Sequence, residues 1–249
     1  MRFNLYTVQL SLTENVELNY SKLAGLLEKV EHNSVVLLPE MFFCGFDYDR
    51  LEEFARLSDY FVQRLKLLSK KKDIMICGTV PEKAEGGIKN TAFLIDRGHI
   101  IGKKEKTKLF SPFDEDKYFV PGDEKEGVFP TRFGNVGILI CFELRFTDMV
   151  LNMKRKQVDI LLVPAQWGYS RREHLKILSR ARAVELQSYV VVADTWGELK
   201  AVRFAGMSGI YSPWGEVLAF SEQGDSLLWA HGSLEHIKKV RESIPIELD

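Results

Sequence analysis

From Ser34 the chain runs Val35-Val36-Leu37-Leu38 without a polar interruption and stops at Pro39-Glu40. A strand with one wet face alternates apolar and polar residues, so a continuous apolar run of this length needs cover on both faces. Residues 3–9 before it also read as a strand. Between the two, Val16, Tyr20, Leu23, Leu27 and Val30 recur at spacings of four, three, four and three, which mark one face of a helix. The opening is therefore a βαβ unit, which favours a sheet with helices packed against it.

The same alternation continues downstream. Helical spacing over 58–70 (Phe61, Leu65, Leu68) precedes a strand at 74–79, a turn at 82–87, and a hairpin of strands 91–96 and 99–104 around Arg97-Gly98. Residues 106–123 carry few regular signals and read as a long loop, a feature that is usually functional in a compact domain. Gly137-Ile138-Leu139-Ile140 is a second buried run, and 159–163 a third; helices are predicted over 147–156 and 172–187. Shorter strands follow at 189–193, 209–212, 217–220 and 226–230, with a turn at Pro213-Trp214-Gly215-Glu216 and a closing helix over 234–241. No linker or low-complexity segment breaks the chain. The reading is one domain over 1–249 with two strand-rich halves, hence two sheets packed together with helices outside.

Composition narrows the function classes. Of 249 residues, 45% are hydrophobic and 28% charged, as in ordinary globular chains. Apolar stretches fall well short of a membrane span and the N-terminus lacks a signal-peptide pattern, so a soluble cytoplasmic protein is expected. Three cysteines without regular spacing suit a reducing compartment. The five histidines are scattered and match no zinc motif, so no metal is expected. A net charge of -1 argues against a general nucleic-acid partner. Lys70-Lys71-Lys72 reads as a solvated helix end.

Chemistry is concentrated where the buried runs end. Cys141 leaves the run 137–140, and open α/β sheets present their reactive groups at the carboxyl ends of strands. A free cysteine is more commonly just a small buried hydrophobe, so its companions decide. Glu40 leaves the run 34–38 in the same way, and two neighbouring parallel strands would set both side chains at one sheet edge. There Glu40 is either a desolvated general base or a cap on the following segment. Lys106, within Lys103-Lys104-Glu105-Lys106-Thr107-Lys108, reads alone as part of a solvated edge strand; beside a thiol it would favour the thiolate and an oxyanion. Glu115 read alone is an ordinary loop carboxylate. Arg145 suits bidentate capture of a carboxylate, or pairs locally with Glu143 or Asp148. Arg182 and Glu185, three apart on one helix, read as a structural ion pair.

Taken together, these residues resemble the nitrilase superfamily of carbon-nitrogen hydrolases over nearly the whole chain. Leu38-Pro39-Glu40-Met41-Phe42, with Gly45-Phe46 behind it, is similar to the family's catalytic-glutamate motif. Lys106-Thr107-Lys108-Leu109-Phe110 is similar to its catalytic-lysine motif. Glu115 ahead of Lys117-Tyr118-Phe119-Val120-Pro121-Gly122-Asp123 resembles the loop with its second active-site glutamate. Cys141-Phe142-Glu143-Leu144-Arg145-Phe146 resembles its nucleophile motif. Arg180–Gln187, Gly206-Met207-Ser208 and Pro213-Trp214-Gly215 resemble its downstream signatures. The chain departs from the family amidases at Lys108, where they often have His, at Glu143, where they often have Asp, and at Thr147-Asp148, where they often have Pro-Glu. Phe142 and Arg145 resemble the amidase branches, and Trp167 with Arg171-Arg172 the bacterial omega-amidase-like members.

The resemblance implies a four-layer αββα sandwich of two mixed sheets flanked by helices, commonly a homodimer or higher homo-oligomer, and no cofactor. It implies a small linear amide as substrate, hydrolysed through a thioester on Cys141, with Glu40 as base, Lys106 and the Phe142 N–H at the oxyanion, and Glu115 holding Lys106 or the amide. Phe142, Arg145 and Trp167 are the candidate substrate-binding residues. An alternative within the enzymes is an N-carbamoyl amino acid or amine amidohydrolase, which would release carbon dioxide with the ammonia. A binding or scaffold member of the same fold would be expected to lack one of Glu40, Lys106 or Cys141. All three are present.

Overall fold

The computed structural model describes residues 2–123 and 127–246. In the first half, β1 (Arg2–Ser11) is followed by α1 (Val16–Leu27) and β2 (Ser34–Leu37), which pairs parallel to β1. Next, α2 (Leu51–Lys72) leads to β3 (Ile74–Ala84), parallel to β2. The antiparallel strands β4 (Gly87–Asp96) and β5 (His99–Glu105) complete this side.

The short helix α3 (Glu115–Tyr118) precedes the second half. There β6 (Val128–Thr131) lies antiparallel to β7 (Gly134–Ile138). Through α4 (Thr147–Arg155), β8 (Ile160–Ala165), α5 (Arg172–Leu186) and β9 (Tyr189–Leu199), the chain lays β8 and β9 parallel to β7. Both β10 (Val202–Ala205) and β11 (Ser208–Tyr211) pair antiparallel with β9, and β12 (Val217–Ser221) pairs with β11. Finally β13 (Ser226–Ser233) returns to the first sheet beside β1, and α6 (Leu234–Ser243) follows.

The strand orders are thus β13-β1-β2-β3-β4-β5 and β12-β11-β9-β8-β7-β6, joined where Leu10 and Ser11 pair with Thr195 and Trp196. The sheets face each other, with α1 and α2 outside the first and α4 and α5 outside the second, the αββα sandwich. Thr7 Oγ1 crosses between the sheets to donate to Val192 O at 2.8 Å.

Burial explains the uninterrupted apolar runs. On β1, β2 and β3 the residues Leu5, Val35, Leu37, Met75 and Cys77 join the core shared with the second sheet. Residues of the opposite parity, Val8, Leu10, Val36, Ile74 and Ile76, point the other way, into a core shared with Tyr20, Leu23, Leu27, Phe54, Phe61 and Leu65 of α1 and α2. Successive side chains of a strand alternate in direction, so a strand covered on both faces is apolar at every position.

Several predicted boundaries move. The helix predicted over 58–70 starts at Leu51, because Leu51, Phe54 and Ala55 continue its buried face. Strand β3 continues through residues 82–84 to a tight turn at Glu85-Gly86, so the predicted 82–87 turn is largely strand. The segment 106–123 is not all loop, since it contains α3 and a 3-10 turn at Ser111–Phe113. The buried run before Cys141 belongs to a strand that starts at Gly134 and ends at Ile138. Strands β6 and β10 carried no strand signal in the sequence. Lys70-Lys71-Lys72 form the last turn of α2, as predicted. Among the described residues no helix is long and apolar enough to cross a membrane.

Candidate active site

Glu40 follows β2 by three residues, and there the backbone departs from strand geometry. Met41 takes a φ of 50°, its N–H donating to Thr79 Oγ1 at 2.8 Å, and Gly45 a φ of 65°. At Gly45 a Cβ would lie 2.6 Å from Leu199 Cδ2, the tip of a flexible side chain, so it is the positive φ more than this contact that favours glycine. The Glu40 N–H donates to Ala165 O, at the end of β8 in the opposite sheet, at 3.3 Å. Its fully buried carboxylate accepts from Asn90 Nδ2 at 2.7 Å and Lys106 Nζ at 2.8 Å on Oε1, and from Gln166 N at 3.0 Å on Oε2. The cap reading therefore does not hold: the side chain is aimed at a lysine and an amide rather than at a helix end.

Lys106 sits just past the end of β5, tied through its N–H to Asn90 O at 2.8 Å. Its ammonium, fully buried, donates to Glu115 Oε1 at 2.7 Å as well as to Glu40. Burial opposes the charge, but Glu115 and Glu40 overcome it and hold the pKa above the usual lysine range. Glu115, buried in α3, is raised above the carboxylate range by burial, with Lys106 opposing. Its other oxygen accepts from Phe110 N at 2.9 Å, which fixes the loop over the ammonium. The solvated-edge expectation for Lys103–Lys108 fails at Lys106 and also at Lys104, both buried, because buried carboxylates wait for each of them.

Cys141 opens a 3-10 turn, Cys141–Arg145, with a φ of 49°, a left-handed conformation that few non-glycine residues adopt. The expectation that Glu40 and Cys141 share one sheet edge is corrected: β2 and β7 lie in opposite sheets, and the side chains meet across the sandwich. Burial pushes the Cys141 thiol well above its ordinary range; Glu40 adds to this and Lys106 opposes it.

A narrow cleft opens over Cys141, lined by Phe110, Glu115, Phe142, Arg145, Trp167 and Arg171 among others. Phe142 packs against Phe110 and Phe146. Trp167 is held by Asp194, whose Oδ1 accepts its N–H at 2.7 Å, and by Arg171 O, which accepts from its ring Nε1 at 2.8 Å. Arg145 does not pair with Glu143 or Asp148, since Glu143 is engaged with Lys104. Its guanidinium lies 4.7 Å from the Trp167 ring centre and 3.1 Å from His174 Nδ1. It has no carboxylate partner among the described residues, and burial together with the nearby Arg171 lowers its pKa. Arg182 does pair with Glu185, at 2.8 Å, and also donates to Leu144 O within the Cys141–Arg145 turn. Asn90, Gln166 and Arg171 had not been singled out as site residues. Gln166 and Arg171 adjoin quoted motifs, whereas Asn90 gives no sequence signal. Among the described residues no group of three or more His, Cys, Asp and Glu side chains is placed to hold a metal ion.

A buried Glu-Lys-Glu cluster under a strained cysteine, between the two sheets of an αββα sandwich, defines a class that the comparisons also find. The carbon-nitrogen hydrolase family model matches residues 7–242, and the chain belongs to that family. It falls within the amidase branch of the nitrilase superfamily and is an enzyme of carbon-nitrogen hydrolysis. It is 33% identical to the 2-oxoglutaramate amidase of Bacillus subtilis over 92% of this chain and 89% of that one. It is 30% identical to the omega-amidase NIT2 of Xenopus tropicalis over 98% of this chain and 94% of that one. The crystal structure of Saccharomyces cerevisiae Nit3, described as a member of branch 10 of the nitrilase superfamily, superposes with a TM-score of 0.89 at 25% identity, covering 99% and 96% of the two chains.

Proposed function

We propose that the protein is an omega-amidase, hydrolysing the terminal amide of a small carboxylic acid to a carboxylate and ammonia through a thioester on Cys141. The observation that carries this reading is the convergence of Glu40, Lys106 and Glu115 in one buried hydrogen-bonded cluster whose charges act on the Cys141 thiol. Glu40 takes the thiol proton as sulfur bonds to the amide carbon. Lys106 and the Phe142 N–H stabilise the oxyanion, and Glu115 keeps the ammonium in place. The tetrahedral adduct then expels ammonia, which takes the proton from Glu40. Glu40 next activates a water that cleaves the thioester and restores the thiol.

Arg145, braced on Trp167 and with no carboxylate partner among the described residues, is the group that receives the substrate's own carboxylate. Two relatives are named for an omega-amide or 2-oxoglutaramate, and a guanidinium with no carboxylate partner among the described residues supports the same substrate class here. Three free cysteines, all buried, support a cytoplasmic site of action. A homodimer is supported by the exposed apolar face of α5 at Ile177 and Val184, beside Trp214.

Mass spectrometry during turnover of an omega-amide should find an acyl group on Cys141, and Cys141→Ala should release no ammonia. Glu40→Gln should lower kcat by about a hundredfold or more, within the range for a lost general base, while remaining folded. An active Cys141→Ala enzyme would sink the mechanism, and release of carbon dioxide with the ammonia would indicate a carbamoyl substrate instead.

A further inference from the structure

The catalytic cluster just described leaves a second buried ion pair unused. Glu143, two residues after the nucleophile, is fully buried, and its partner Lys104 nearly so, with Nζ 3.0 Å from Glu143 Oε1. The same Oε1 accepts from Thr107 N at 2.7 Å and Thr107 Oγ1 at 2.8 Å, and Oε2 accepts from Ile140 N at 2.8 Å. Thr107 directly follows Lys106, and Ile140 directly precedes Cys141. One carboxylate is therefore bonded to the chain neighbour of the lysine and to the chain neighbour of the nucleophile, although the two lie on different sheets.

From this connection we infer that Glu143 is a positioning residue: it sets the Lys106 segment against the Cys141 turn, with the buried Lys104 ammonium as its counter-charge. The inference rests on the proposed roles of Cys141 and Lys106. The need for such a strut follows from the geometry. The left-handed backbone at Cys141 persists only where its surroundings over-determine it, and an oxyanion donor works only if placed before the reaction begins. A buried carboxylate with four donors, one of them charged, is rigid; the same carboxylate without a counter-charge would be strongly unfavourable. Lys104 Nζ is itself fixed by a second bond, to Glu105 O at 2.5 Å, so it cannot swing to solvent without breaking both. Family amidases often carry Asp where Glu143 stands, so the shorter acid is the informative conservative change.

The test compares steady-state ammonia release and single-turnover acylation of Cys141 in wild type, Glu143→Gln, Glu143→Asp and Thr107→Val, on folded protein quantified by circular dichroism. Glu143→Gln should lower kcat and the acylation rate by about 10- to 100-fold with KM within a few-fold of wild type, the signature of misplacement rather than lost binding. Glu143→Asp should recover part of that rate. Thr107→Val removes one donor and no charge, so it keeps the test available if Glu143→Gln does not fold; its kcat should fall several-fold. Full-rate acylation per folded molecule in Glu143→Gln or Thr107→Val would overturn the positioning role, and so would an equal rise in KM. Absence of a Cys141 adduct in wild type would instead count against the proposed function, so the two failures are distinguishable.

Discussion

Asp194, midway along β9, is buried completely, and that burial pushes its carboxyl well above the usual range; hydrogen bonds from the Trp167 and Thr195 N–H groups oppose the shift and the field of Glu40 adds to it. A carboxyl whose folded pKa lies above its unfolded value contributes stability below the unfolded value, near 3.9. That contribution is lost as pH rises through the folded value. Asp194→Asn keeps the Oδ1 acceptor for Trp167 N and cannot ionise. Its urea midpoint relative to wild type should therefore climb as pH is raised from 4 to 8; a constant offset would mean that Asp194 is not perturbed. The sequence offered no route to this residue, or to Asn90. Each owes its role to burial beside groups distant in the chain, and neither periodicity nor motif spacing reports such a contact. Lys106 shows the same limit from the other side: read alone it is a surface lysine, and only carboxylates 66 and 9 residues away make burial of its charge tolerable. Cys141 and Glu40 were legible because each ends a continuous apolar run, which places it at the carboxyl end of a buried strand.

Elements with two covered faces or strong periodicity were read correctly in kind, including β2, β8, α1 and α5. Those that failed are short edge or rim strands. The strand β6 is only partly buried and carries Pro130, and β10 has four residues, so neither produces a run long enough to be recognised. The segment after β5 was recognisable as functional but not in its form. It is pinned by backbone bonds that the sequence does not announce: Val120 N to Ile88 O at 2.9 Å and Gly122 N to Lys106 O at 2.8 Å. At Gly122 an added Cβ would stand 2.3 Å from Glu105 Cβ and 3.0 Å from its carbonyl carbon. Gly122→Ala must therefore lift the segment away from the strand end that carries Lys106. A destabilisation of about 1–3 kcal/mol in urea unfolding is expected from overpacking. Ammonia release should fall further than that loss alone explains, because the anchor to Lys106 O is displaced. An unchanged unfolding midpoint would show that the segment is not packed there.

The whole molecule places its site by a near-repeat of topology. Parallel β1-β2-β3 in one sheet and β9-β8-β7 in the other meet where β1 and β9 pair, and the chain leaving β2 and the chain leaving β7 bring Glu40 and Cys141 together across the gap. The inner faces are consumed by this arrangement and the sheets' outer faces by helices, so the exposed apolar side chains lie on the outer sides of helices and on edge segments. Helix α5 carries one such patch: Ile177 and Val184 are 62% and 51% exposed and lie two turns apart on one face. The turn at Gly215 meets Val184, where an added Cβ would stand 2.6 Å from Val184 Cγ2, and Arg180 Nε donates to Gly215 O at 2.7 Å. This brings the 52%-exposed Trp214 beside that face. An aromatic flanked by aliphatic side chains at the rim of a helix is the composition of an interface centre, and a two-fold axis would set the same patch on both partners. Sedimentation velocity at micromolar concentration should show a dimer for the wild-type chain. Val184→Glu places a charge at the centre of the patch while its position on α5 stays solvent-exposed in the monomer, so it should yield a folded monomer whose thermal midpoint no longer depends on protein concentration. A wild-type chain that sediments as a monomer would remove the dimer from the proposal, and a Val184→Glu chain that remains dimeric would move the interface to another face.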